Sequence, residues 1–199
     1  GVNLLIDKTY SPKFSDSKVQ FQQRWSFHED GVVVVDNVLD AETTLPTLPR
    51  VGVALQTVAG FEQVEWYGRG PQENYIDRNV GTKIGHYRGT VDAQYYPYIL
   101  PQENGNKTDV RWFSLSNGDC TVTFTAEDTM EFSVGHYTAD DLFSSYHTNE
   151  LIDKKRAETI VTIDHKQRGL GTGSCGPATL EKYCVAPGVY RFRYAIKVE

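Results

Sequence analysis

The 199-residue sequence is poor in sulfur, with three cysteines and one methionine. Cys120, Cys175 and Cys184 are an odd number without a C-x-x-C pair, so neither a disulfide framework nor a zinc site is suggested. Reduced thiols are the plain reading, and a Cys175–Cys184 bridge stays open. No run approaches the roughly 20 apolar residues that span a bilayer, and no basic segment followed by an apolar one opens the chain. A cytoplasmic location is expected. Positive charge is also short: 20 Lys and Arg against 26 Asp and Glu leave −6, with no extended basic run to offset it. That balance repels phosphate backbones and anionic lipid, so neither nucleic acid nor membrane is expected as a partner. The length excludes a complete (β/α)8 barrel of roughly 250 residues. Five histidines lack H-x-H or H-x-x-x-H spacing, so no metal site is expected.

Aromatic residues, by contrast, make up 12% of the chain, enough with the aliphatics for a packed core. The dominant period is two. Val19, Phe21, Trp25 and Phe27 share one strand face, broken once by Gln23, and Asp30-Gly31 predicts a hairpin into Val32–Val35. Further strands are predicted at Val51–Leu55, Val64–Trp66, Val110–Trp112, Val122–Ala126, Phe132–Val134 and Val161–Ile163. From Tyr190 to Val198 the apolar and basic residues alternate, which predicts an antiparallel strand with one wet face closing the domain. Gly68 and Gly70 are read as turn residues. One short helix is predicted after Thr138, with Asp141 three residues on and Leu142, Phe143 and Tyr146 on one face. The reading is all-β and antiparallel, a single domain over residues 1–199.

Chemistry could come from several places. Pro71-Gln72-Glu73-Asn74 is echoed by Pro101-Gln102-Glu103-Asn104, and glycosidic hydrolysis needs two carboxylates about 5 to 9.5 Å apart. The favoured reading is structural: Glu73 and Asp77 brace their loop through nearby Arg69 and Arg78. Tyr95, Tyr96 and Tyr98 could stack against a sugar or fill the space between sheets. His86 and His136 sit beside Tyr87 and Tyr137, as ring-packing residues or as a proton-shuttling pair. The glycine-rich run Gly169–Pro177 lacks the lysine of a phosphate cradle and reads as a loop. The Asn106-Lys107-Thr108 sequon is uninformative without a secretion signal.

The run from Gly68 to Arg78, including Gly70, Glu73, Asn74, Tyr75, Asp77 and Arg78, carries a resemblance. With Glu103 and Asn104 in Pro101–Gly105, Leu48–Gly52, and Gly169–Pro177, it is similar to the C-terminal domain of family 2 glycoside hydrolase β-galactosidases, from about residue 20 onward. The resemblance implies an antiparallel β-supersandwich, like that of galactose mutarotase, that lacks its first strands and closes a long enzyme. It implies that the catalytic glutamates, and the magnesium and sodium sites, belong to other domains, so no residue here is catalytic and the chain alone is inactive. It implies a barrel domain or large subunit as partner, a β-galactoside as substrate, and a homo-oligomeric parent. Gly173, Ser174 and Cys175 match the loop that lines the galactoside pocket in the family, with Cys175 where a tryptophan stands. A thiol offers no broad stacking surface. Two rival readings are an independent carbohydrate-binding module and a mutarotase-like epimerase.

Overall fold

The computed structural model describes residues 1–11, 13, 16–171 and 178–199. Ten strands run in chain order: β1 (Val2–Tyr10), β2 (Val19–Phe27), β3 (Val33–Ala41), β4 (Arg50–Ala59), β5 (Gln63–Gly70), β6 (Lys83–Thr90), β7 (Lys107–Ser116), β8 (Thr121–Gly135), β9 (Glu158–Gln167) and β10 (Val189–Val198). The one α-helix among the described residues, α1, covers Ala139–Phe143. Every described pairing is antiparallel, so the all-β reading holds.

The main path is β1-β2-β3-β10-β8-β7-β5-β6, and β4 joins through β9. Two predicted strands, Val122–Ala126 and Phe132–Val134, are one 15-residue strand, β8. Its first half pairs with β10 and its second half, Glu131–Gly135, with β9. The polar Glu127-Asp128-Thr129 stretch disguises the continuity. Opposite it, β7 shifts register twice, around Val110, where Asp109 takes a φ of 54°. Such shifts bend a sheet locally. The β4–β9 ribbon thereby turns toward β1–β3, and Val53 and Ala54 line a shared gap with Phe21 and Leu39.

The hairpin at Asp30-Gly31 is present, with Gly31 at a φ of 81° between β2 and β3. Gln23, the break in the alternation, is buried and donates its side-chain amide to Asn37 at 2.8 Å. Burial of that polar pair is tolerated because Asn37 in turn donates to the carbonyls of Val35 and Phe192. The C-terminal strand does alternate as predicted, yet it does not close an edge; β10 lies between β3 and β8. The main path ends at β1 and β6, neither predicted, and β4, which was, is a further edge paired to β9 alone. Eight of the nine residues of β1 are exposed, so no face of it carries a core signal. Gly68 and Gly70 lie in β5 and not in a turn. A Cβ on Gly68 would stand 2.8 Å from the Val110 Cα, so glycine is needed for strand contact there.

The core centres on Phe113, stacked on Phe132 at 4.3 Å and on Phe124 at 4.6 Å, with Trp66 edge-on to Phe132 at 6.0 Å. The helix is shorter than predicted. Thr138 and Asp141 form a reciprocal cap, but Phe143 and Tyr146 are exposed, so no common apolar face exists.

Candidate functional site

The loops that carry the repeated Pro-Gln-Glu-Asn segments follow β5 and precede β7, and they lie against each other. In both, the asparagine side chain donates to the glutamine carbonyl two residues back: Asn74 to Gln72 at 3.0 Å and Asn104 to Gln102 at 2.9 Å. The echo in sequence is thus one local turn used twice. Asn74 is fully buried, and its side-chain oxygen accepts from the amide and hydroxyl of Thr108. Asn106 is also fully buried and donates to the Asn74 carbonyl and the Glu131 carboxylate. In this fold its amide is a structural tie, closed to a glycan.

The two glutamates are held by different arginines. Glu73 accepts from Arg78 at 2.5 Å, from the Gly105 amide at 2.8 Å, and from the Tyr98 hydroxyl. Arg78 also lies over the ring of buried Tyr75, 5.1 Å from its centroid. Glu103 pairs instead with Arg50 at 3.2 Å. The expected partner of Glu73, Arg78, is found; Arg69 takes Asp109.

A second carboxylate does reach Arg50. Asp164, 1% exposed in its side chain, accepts from the Arg50 Nε and from its terminal nitrogen at 2.5 Å. Burial pushes Asp164 up to about 6 against the pull of Arg50. Glu131 is pushed further, to about 7, by burial and by the charge of Asp164, while its bond to Asn106 acts in the opposite sense. Arg50 stands between Glu103 and Asp164, so both acids are engaged by one guanidinium. Sequence reading passed over Asp164 and Glu131. Asp164 directly follows the apolar Val161–Ile163 pattern of β9, and an ionisable residue continuing a core strand was the available signal.

Asp77 has a different task. Its carboxylate accepts from the Leu170 amide at 3.2 Å and the Gly171 amide at 2.7 Å. Thr179 donates its hydroxyl to the Gly169 carbonyl at 2.9 Å. These bonds join the two feet of the 172–177 segment. A Cβ on Gly169 would meet the Asp77 carboxyl carbon at 2.7 Å, and Gly171 has a φ of 64°, so glycine is required at both. Gly173, Ser174 and Cys175 lie outside the described residues, as does any pairing of Cys175; Cys184 and Cys120 are free thiols. Beside the feet is a hollow of about 570 Å³ whose lining includes Arg50, Glu103, Gly169 and Thr179.

The tyrosines do not line up as one platform. Tyr96 packs on Tyr98 at 4.6 Å, while Tyr95 turns to Tyr137 at 5.5 Å. His86 packs edge-on to Trp112 and pairs with Glu65, whereas His136 meets Glu62, so the two do not share a site. Among the described residues no group of three or more His, Cys, Asp or Glu could hold a metal ion.

Comparison with known proteins places this architecture. Residues 3–196 match the family model described as beta galactosidase small chain. A β-galactosidase of Priestia megaterium is 34% identical over 148 residues, which are 74% of this chain and 14% of that protein. One from Staphylococcus xylosus is 31% identical, over 87% of this chain and 17% of its own. One from Vibrio cholerae is 29% identical over 100% and 19%. The chain thus spans less than a fifth of the length of these relatives. Among solved structures, a putative aldose 1-epimerase from Escherichia coli K12 aligns with 99% of this chain and 65% of its own, at a TM-score of 0.48 and 10% identity. On the extent of the family match, the chain belongs to the beta galactosidase small chain family.

Proposed function

We propose that this chain is the C-terminal, non-catalytic domain of a retaining β-galactosidase and that it helps to wall the active site of the intact enzyme. The observation that carries this reading is the clamp of Asp77 on Leu170 and Gly171, which gives the segment bearing Gly173, Ser174 and Cys175 a fixed base. A wall so fixed contributes by positioning the sugar and not by proton transfer. The engagement of Glu73 and Glu103 by arginines supports the same division of labour. The proposed partner is a catalytic barrel on the same polypeptide or on a large subunit, and the magnesium and sodium of such an enzyme belong to its other domains. A homo-oligomeric parent remains part of the proposal.

The test is made in the intact enzyme that carries this domain. Asp77→Ala and Cys175→Ala are each expected to lower kcat/KM for galactosides, by about tenfold for Asp77→Ala, with the loss varying with the leaving group. Unchanged kcat/KM in both variants overturns the wall. The 199-residue chain by itself is expected to hydrolyse no aryl galactoside, and turnover abolished by Glu73→Gln overturns the non-catalytic assignment.

A further inference from the structure

A hollow of about 430 Å³ lies between β4, the second half of β8, β9 and the loop that bears Tyr95, with the start of α1 at its rim. That size falls within the roughly 300–1,000 Å³ of small-molecule sites. Its apolar side includes Val53, Val134, Ile160 and Leu142. Tyr95 and Tyr137 stand at the opening as a tilted pair 5.5 Å apart. Among the described residues, neither phenol hydroxyl has a hydrogen-bond partner, nor does the carboxylate of Asp140 beside them. Arg50, Glu103 and Asp164 sit in the same lining with their charges already committed to one another.

We propose that this hollow is a second sugar site, holding one neutral pyranose without transforming it. Two observations select that ligand class. Arg50 is the one cation of the lining and is held by two carboxylates, which leaves nothing to bind a phosphate or a carboxylate. What stays available is two neutral phenols, one carboxylate acceptor and two ring faces. Ring faces suit the C–H side of a pyranose, and the open polar groups suit its hydroxyls. The site shares Arg50 and Glu103 with the hollow beside the feet of the 172–177 segment, but Asp77 and Thr179 do not line it, and it does not rest on the wall proposal.

The experiment is titration of the full chain with galactose, and separately with lactose, followed by saturation-transfer NMR and by the tyrosine ring resonances. Saturable binding is expected with Kd on the order of 1–10 mM. Tyr137→Ala is expected to weaken it at least tenfold. Tyr137→Phe removes the hydroxyl, Asp140→Asn removes the charge and one of the two acceptor oxygens, both preserve shape, and each is expected to weaken it about threefold, with the amide spectrum otherwise native. Absence of saturation to about 100 mM overturns the site. So does binding that is indifferent to all three variants, or displacement of the sugar by choline or inorganic phosphate at equal concentration. Loss of the site would leave the kcat/KM effect of Asp77→Ala untouched, so the two proposals fail separately.

Discussion

The side-chain oxygen of Asn74 accepts from the Thr108 amide at 2.8 Å and from the Thr108 hydroxyl at 2.6 Å, in a place that solvent does not reach. This couples the loop after β5 to the start of β7. Asn74→Ala strands both donors and frees the Gln72 carbonyl. A loss of about 3 kcal/mol is expected, read as a lowered urea midpoint at constant slope. A variant within 0.5 kcal/mol of the parent would mean that water replaces the side chain.

Glu131 gives the stability a dependence on pH. Its folded pKa, about 7, lies above the ordinary 4.5, because burial disfavours the charge. A carboxyl shifted upward contributes fully below its unfolded value and loses that contribution as pH climbs through about 4.5 to 7. Glu131→Gln is therefore expected to flatten the stability profile over that window, where Glu131 alone accounts for about 2 to 3 kcal/mol. Urea titrations at half-unit pH steps read the difference, and a profile identical to the parent would refute the assignment. Asp164, raised to about 6, leaves a smaller residual slope of the same sign.

Gly68 tests the packing of β5 on β7. With the Val110 Cγ2 2.6 Å and Cα 2.8 Å from the place of a Cβ, Gly68→Ala forces the strands apart. Overpacking of this kind costs about 1 to 3 kcal/mol. Thermal unfolding should show the lower Tm, and Gly135→Ala, with open space at its Cβ, serves as the control.

Phe113 stands between Phe124 and Phe132 in the centre of the core. Phe113→Ala is expected to cost about 3 to 5 kcal/mol and Phe113→Leu about 1 to 2. Equal effects from the two substitutions, measured by chemical denaturation, would show that the loss lies in the ring stacking and not in the volume removed, against this expectation.

Thr138→Ala removes one arm of the helix cap, and about 1 kcal/mol should follow. Hydrogen exchange at the Asp141 amide, which now donates to the Thr138 hydroxyl at 3.1 Å, is the local readout. Unchanged protection there would contradict the cap.

Much of this was written in period-two patterns, because a half-buried strand must alternate: β2, β9 and β10 follow it, and the Thr138 cap is equally local. β1 and β6 escaped because these two strands have little buried surface to record. The single β8 escaped because its polar middle changes pairing partners without ending the strand. At the site, the bracing of Glu73 by Arg78 was legible from five residues of separation. The Arg50–Asp164 pair was not, being 114 residues apart and brought together by the antiparallel pairing of β4 with β9.

The tether from Asp77 has an implication for how such a domain diverges. Its bonds hold Leu170 and Gly171, and Thr179 holds Gly169, all of them flanking residues 172–177. Between moorings set by the scaffold, the intervening stretch can gain, lose or exchange residues while its ends stay where they are. Sequence can thus change there as in a cartridge, with folding left to the rest of the chain.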